Sequence, residues 1–320
     1  PPQELAKIPR LTVNDLPPQV PMYPLQVEAE ANGLVLYHEL FTNAVFYLDV
    51  GFGLGQLEQK YLGYVRLFGR ALTEMGTLDE DYVSLSQRIQ ARTGGIHAQA
   101  LSAAHEESRE PCTWLFLRGK AMADKVGDLV GILEDVLTKP LLDYPERFRQ
   151  LVLEEKARME QRLIPAGHQM VNMRLRSKYS LADWVNEHIS GLSYLLFLRF
   201  LAQKVETDWS GVVRDLEHIK ERLFNRQNMV FNVTADAETW KRAQPILDAL
   251  VHKLPSRPLH PAKWLVECQI GDEGVKIPAQ VNYVGKAVDL YTQGYSFHPS
   301  SLVVARYLRM SWLWDKIRVQ

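Results

Sequence analysis

Cysteine is almost missing from these 320 residues: Cys112 and Cys268 are the only two. Two cysteines exclude a disulfide scaffold and a cysteine-built zinc site, and they suit a reducing compartment. An excess of one charge is missing as well. Lys plus Arg number 37 and Asp plus Glu 38, so nothing indicates a basic groove for nucleic acid. No acidic or low-complexity tract argues for disorder. The most apolar run, Leu192 to Leu201, is broken by Arg199 and falls far short of the roughly 20 residues that cross a bilayer. The opening Pro1-Pro2-Gln3-Glu4 lacks the pattern of a signal peptide, and both ends read as cut. Neither nucleic acid nor a membrane is expected as a partner.

The usual catalytic signatures are also absent. Gly51-Phe52-Gly53-Leu54-Gly55 invites a dinucleotide reading, but that fingerprint needs a further glycine, and Gln56 and Glu58 occupy the two possible positions. The string reads instead as a flexible strand-to-helix loop. Neither HExxH nor HxxEH occurs, nor does a GxSxG elbow or a phosphate loop. His97 and His105 would sit about 26 Å apart on one strand, too far to share a metal ion. Cys112 has no base supplied by its neighbours in sequence. The run Glu154 to Glu160 reads as a solvated helix face with carboxylates one turn ahead of basic residues.

What is present is a patterned globular chain, with 46% apolar residues. Six prolines within the first 21 residues predict an extended leader. Leu34–Leu40 and Ala44–Val50, separated by Thr42-Asn43, predict a β-hairpin. Apolar steps of three and four from Leu57 to Leu72 mark a helix closed by Gly76, and Asp79 is expected to cap the next one. Strands are predicted over Ile96–Ala104 and Thr113–Arg118. Helices follow through Leu137, from Pro145 to about Arg162, and onward through Leu198 and Ser210–Phe224. Met229–Thr234 reads as a strand and Glu238–Leu254 as a helix. Beyond Pro255, Pro258 and Pro261, a strand is expected at Ala279–Gly285 and a helix from Pro299 to the end. Grouped strands followed by helices predict an α+β fold, an antiparallel sheet with helices packed on one face.

Two strings are specific enough to carry a resemblance. Pro278-Ala279-Gln280-Val281-Asn282-Tyr283-Val284-Gly285-Lys286-Ala287 and Ser311-Trp312-Leu313-Trp314-Asp315-Lys316-Ile317-Arg318-Val319 resemble the start of the last domain in the insulinase/pitrilysin superfamily of zinc metallopeptidases. The presequence-protease (falcilysin-like) subfamily is the best match. Leu67 to Gly95, with its Met75-Gly76-Thr77 turn, resembles a degenerate copy of that superfamily's catalytic domain.

The resemblance implies a noncatalytic C-terminal half of a zinc endopeptidase that degrades unstructured, presequence-like peptides. It implies a leader at 1–20, a degenerate peptidase-like α+β domain at 21–262, and the truncated N-terminal part of the following domain at 263–320. The family's two histidines fall on Leu67 and Ala71, its glutamate on Arg70, and its third ligand near Glu154 or Glu155. Leu and Ala offer no donor atom and Arg has the wrong charge, so no metal or other cofactor is expected here. Zinc would belong to the N-terminal catalytic half of the same polypeptide, which would be the partner, together with unstructured peptides. Arg318 matches an arginine that reaches the active site in the family, where it contacts substrate or the oxyanion. The alternative implied is a noncatalytic scaffold or peptide-binding subunit without protease activity. The compartment implied is bacterial cytoplasm, or a mitochondrial or plastid matrix.

Overall fold

A computed structural model describes residues 7, 9, 11–30, 33–265 and 271–319. Six strands, β1 (Gln26–Glu30), β2 (Gly33–Glu39), β3 (Val45–Gly53), β4 (Ile96–Ala104), β5 (Pro111–Met122) and β6 (Met229–Ala235), form one sheet in the order β1-β2-β6-β3-β5-β4. The α+β class is as predicted. The sheet departs from a purely antiparallel one at a single pairing, since β2 and β6 run parallel, Leu34 opposite Val230.

The same insertion overturns the predicted hairpin. β6 lies between β2 and β3, pairing antiparallel with β3 from Tyr47 opposite Thr234 to Phe52 opposite Met229. The turn at Thr42-Asn43-Ala44, where Asn43 and Ala44 take positive φ, therefore spans a third strand instead of joining two neighbours. Local turn chemistry is legible in the residues, but a strand arriving from nearly two hundred positions downstream is not.

Alternation separates the two faces of the sheet. Phe46, Leu48, Val50 and Phe52 of β3, with Leu115 and Leu117 of β5, are buried on one side. Helices cover that side: α1 (Val65–Glu74), α2 (Tyr82–Arg92), α3 (Val126–Thr138), α4 (Pro145–Leu163), α5 (Gly167–Arg176), α6 (Leu181–Ser190), α7 (Leu192–Thr207), α8 (Trp209–Leu223) and α9 (Ala237–Lys253). Leu67, Phe68 and Leu72 of α1 and Leu129 and Leu133 of α3 join the strand residues in one continuous apolar cluster. The region read as one helix from Gln56 opens with a 3₁₀ segment, Gln59–Tyr64, before α1 begins.

Side-chain caps fix several helix starts. Ser180, Asp208 and Asp236 accept from the backbone N–H groups of Asp183, Gly211 and Thr239. At α2 the cap is Asp81, accepting from Ser84 N–H at 2.8 Å, and not Asp79 as predicted. Asp79 instead receives the Lys139 ammonium at 2.6 Å. α4 opens with Pro145 in its first turn, as expected, because a first-turn residue needs no backbone donor.

Past the main body, residues 279–285 form no strand. A strand needs a neighbour's donors and acceptors, and no such ladder exists beside this segment among the described residues. It runs instead over α5, where the Tyr283 hydroxyl donates to the Ile164 carbonyl and Gly285 lies against Val171. The last helix, α10, spans Ser300–Met310, and a short turn at Trp312–Trp314 leads to a π-helical turn at Asp315–Val319. Leu302, Val303, Tyr307, Trp312 and Trp314 are exposed along it. Cys112 is exposed and unpaired, and Cys268 lies outside the described residues.

Phe52 is 0% exposed and Phe41 90% exposed. Truncating Phe52 to Ala is expected to cost about 3–5 kcal/mol, whereas Phe41→Ala should stay within about 0.5 kcal/mol. Urea unfolding of both variants, followed by circular dichroism, checks this; similar losses would contradict the placement of the core.

Candidate functional site

The positions that the resemblance assigns to the family's zinc motif, Leu67, Arg70 and Ala71, lie on α1. Leu67 and Ala71 point into the apolar core. Arg70, three residues after Leu67, points out of the core into a group of carboxylates. Its Nε and Nη2 donate to the two oxygens of Glu74 at 2.8 and 2.7 Å, and Nη2 also reaches Glu154 at 2.9 Å. Its Nη1 lies 3.5 Å from Glu155. The paired carboxylate of Glu74, with Glu154, raises the Arg70 pKa above its already high ordinary value.

Glu155 is the centre of this cluster. Its side chain is 0% exposed, yet it meets Arg66 at 2.9 Å and Arg158 at 3.1 Å as well as Arg70. The predicted solvated face of α4 is thus corrected at this position: Glu154 is 52% exposed, and its neighbour is sealed beneath three guanidiniums. Helical geometry explains it, because adjacent residues are about 100° apart and only one of the pair can face α1. Tyr194 of α7 is buried nearby. Burial first, and the Glu155 charge second, push its hydroxyl pKa well up, so it stays neutral.

These residues do not fit a zinc ion. Leu67 and Ala71 have no donor atom, Arg70 would repel a cation, and Glu154 and Glu155 are already committed to arginines. No group of three or more His, Cys, Asp or Glu is placed to hold a metal among the described residues.

The opposite face of the sheet carries a second assembly. A polar chain crosses five strands. His38 Nε2 lies 3.1 Å from Asn232 Oδ1, and Asn232 Nδ2 donates to Asp49 at 3.1 Å. Arg118 grips Asp49 with Nε and Nη2 at 3.0 and 2.8 Å, and its Nη1 donates to Gln99 at 2.7 Å. The hydrogen-bonded Asp49 carboxylate raises the Arg118 pKa. Beside this chain, Trp114 and Phe116 of β5 stack at 6.1 Å between ring centroids. Gly51 lies beneath Phe116, where a Cβ would come within 2.5 Å of the ring. Gly53 lies equally close to the Asn228 side chain. Both glycines belong to β3, so their role is close packing and not the flexible loop predicted for this string.

The face offers fixed hydrogen-bonding groups and an aromatic platform, with no nucleophile–base pair among its described residues. The sequence reading missed His38, Asp49, Arg118 and Asn232 as a group. The signal available was their alternation with buried apolar neighbours in their strands, but alternation does not say which strands meet. Arg318 lies in the exposed π-helical turn, and no hydrogen bond or ion pair joins it to either assembly.

Fold and chemistry together define an α+β domain whose sheet is covered on one face by helices, with no metal-holding side-chain group among the described residues. The family model for the domain associated with peptidase family M16, subfamily C, matches residues 1–201, and that of the PreP C-terminal domain matches residues 272–320. The chain belongs to this peptidase-associated family, in the noncatalytic C-terminal half of the insulinase superfamily. It is 36% identical to presequence protease 1, chloroplastic/mitochondrial, of Arabidopsis thaliana, over 100% of this chain and 30% of that protein. It is 25% identical to protein HypA of Clostridium perfringens, over 99% of this chain and 33% of that one. Identity to the mitochondrial presequence protease of Danio rerio is also 25%, with the same coverages of 99% and 33%. The chain therefore spans about a third of the length of these relatives. Among solved structures, a peptidase M16 inactive domain from Pseudomonas fluorescens aligns with a TM-score of 0.46 and 15% identity, over 76% of this chain and 53% of that one. No helix among the described residues is long and apolar enough to cross a membrane.

Removing one partner of a buried ion cluster leaves charge uncompensated. Glu155→Ala is therefore expected to lose about 3–5 kcal/mol of stability. Glu154→Ala, at the exposed rim, should lose less than about 1 kcal/mol. Thermal and denaturant melts of the two variants make the comparison, and an equal effect would contradict the buried role of Glu155.

Proposed function

We propose that this chain is a noncatalytic part of a longer zinc metalloendopeptidase that degrades unstructured, presequence-like peptides. Its open sheet face forms part of the wall of a peptide-sized chamber. The observation that carries this reading is the identity with a presequence protease along the whole chain, together with an open face built of paired polar groups and stacked aromatics. The partner is the N-terminal half of the same polypeptide, which supplies zinc and the HxxEH residues. Residues 1–20 act as a leader, 21–262 as the degenerate domain, and 263–320 as the start of the following one. An unpaired, exposed Cys112 suits a reducing compartment such as a matrix, plastid stroma or bacterial cytoplasm.

Within this reading Arg318 extends from the last domain to the catalytic centre and donates to a substrate carbonyl or a developing oxyanion. The guanidinium carries a permanent charge and a fixed fork of donors, which suits that task better than an ammonium. Trp114 and Arg118 act earlier, holding the peptide against the wall.

A scaffold or peptide-binding subunit without protease activity is the second reading. The Arg66–Arg70–Arg158 cluster at the degenerate metal position favours it, because it contributes nothing to hydrolysis.

Kinetics on the longer protein separate the roles. Arg318→Ala is expected to lower kcat about 10²-fold or more with little change in KM. Trp114→Ala should raise KM several-fold and leave kcat close to its starting value. The 320-residue chain alone should cleave no unstructured peptide. Zinc-dependent turnover by the chain alone would sink the proposal, and a longer reading frame without HxxEH would leave the scaffold reading in its place.

A further inference from the structure

The two edges of the sheet are built differently. β1, at one edge, is five residues long and carries the charged Glu28 at its middle, features that discourage further pairing. β4, at the other edge, reads Ile-His-Ala-Gln-Ala-Leu-Ser-Ala-Ala over nine residues, with neither Lys, Glu, Asp, Arg nor Pro. Among the described residues no strand pairs with its outer side.

The register fixes which backbone groups face outward. At the β4–β5 turn the His105 N–H donates to the Glu110 carbonyl, continuing the pairing of Ala104 with Pro111. Along an antiparallel ladder, hydrogen-bonded and non-bonded pairs alternate. His97, Gln99, Leu101 and Ala103 therefore bond to β5, while Ile96, Ala98, Ala100 and Ser102 turn their N–H and C=O groups away from it. An independent contact agrees: the Asn186 side chain donates to the Ser102 carbonyl at 3.0 Å. Ile96, Ala98 and Ala100 keep outward groups with no such cover.

A cleft of about 460 Å³ opens beside these residues. Arg66 and Arg70 of α1 and Arg158 of α4 line it on the helix side. Arg70 is held by Glu74, Glu154 and Glu155, whereas Arg66 meets Glu155 through Nε at 2.9 Å and Arg158 meets it through Nη1 at 3.1 Å. Arg158 is 50% exposed. A strand laid against β4 would send alternate side chains to the helix side, into the reach of these two guanidiniums. The small Ala98 and Ala100 side chains leave room for them.

We propose that the β4 edge is a peptide-binding site that adds an extended strand, and that it selects peptides with carboxylates at alternate positions. Backbone pairing supplies sequence-tolerant affinity, and Arg66 and Arg158 supply the preference for acid. That the occupant is a peptide and not another ligand rests on the reading of the domain as a handler of unstructured peptides. The site itself is separate from the open sheet face and needs no catalytic half.

Fluorescence anisotropy on the 320-residue chain tests this with a labelled heptapeptide alternating Val and Glu. The same peptide with Lys for Glu, and one N-methylated at alternate amides, serve as controls. The acidic peptide is expected to bind at least about tenfold more tightly than either control. Arg158→Gln should weaken the acidic peptide several-fold and leave the Lys peptide unchanged. Ala98→Pro, which removes one outward N–H on an edge strand where proline is tolerated, should abolish binding with the melting transition retained. If that variant fails to fold, the N-methylated peptide still decides the point. Equal binding of all three peptides would overturn the proposal. So would concentration-dependent self-association of the chain that Ala98→Pro removes, since it would assign the edge to a second copy. The assay reads binding without turnover, so its failure and the failure of the chamber reading are separate outcomes.

Discussion

A carboxylate with no access to water must be compensated where it sits, and Glu155 imposes that requirement on everything around it. Three arginines meet it, two from α1 and one from its own helix α4. Their positions hold α4 against α1, and α1 in turn lies close on the sheet: at Gly69 a Cβ would come within 2.6 Å of the Ala98 Cβ. The contact leaves no space for a side chain at residue 69. A chain of constraints thus runs from one buried charge, through the orientation of two helices, to the distance between α1 and the edge strand β4.

That chain also explains how α1 keeps its place. Leu67 and Ala71 present apolar surface to the core, and both are buried in the main cluster. Arg70 turns a cation outward from the same helix, and Glu74, Glu154 and Glu155 balance it. An internal ion cluster thus ties the two neighbouring helices through the buried Glu155 carboxylate.

How much of this is legible in the residues depends on range. The α+β class, the start of α4 at Pro145 and the core face of α1 follow from local periodicity and capping. The resemblance points to Leu67, Arg70 and Ala71 as the degenerate positions because it rests on strings and not on contacts. Pairing is where local signals fail. Leu34–Leu40 and Ala44–Val50 look like a hairpin because their turn residues are right, and only the arrival of Met229–Ala235 separates them. β1 has no counterpart among the predicted strands, since QVEAE has two charges in five residues and sits in a proline-rich neighbourhood. The link from His38 to Gln99 draws on five strands and is invisible until their order is known.

The two faces of the sheet answer different physical demands. The covered face is a continuous apolar cluster, so its residues need only volume and shape. On the open face a merely solvated sheet would tolerate any polar residue. Here Asp49 is instead gripped by both Arg118 and Asn232, and Arg118 and Asn232 each hold a further partner. Such mutual satisfaction fixes rotamers that water alone would leave free, and it does so beside two stacked aromatic rings. A polar line already fixed beside an aromatic platform has little side-chain freedom left to lose, so any contact made there carries a small ordering cost on this side.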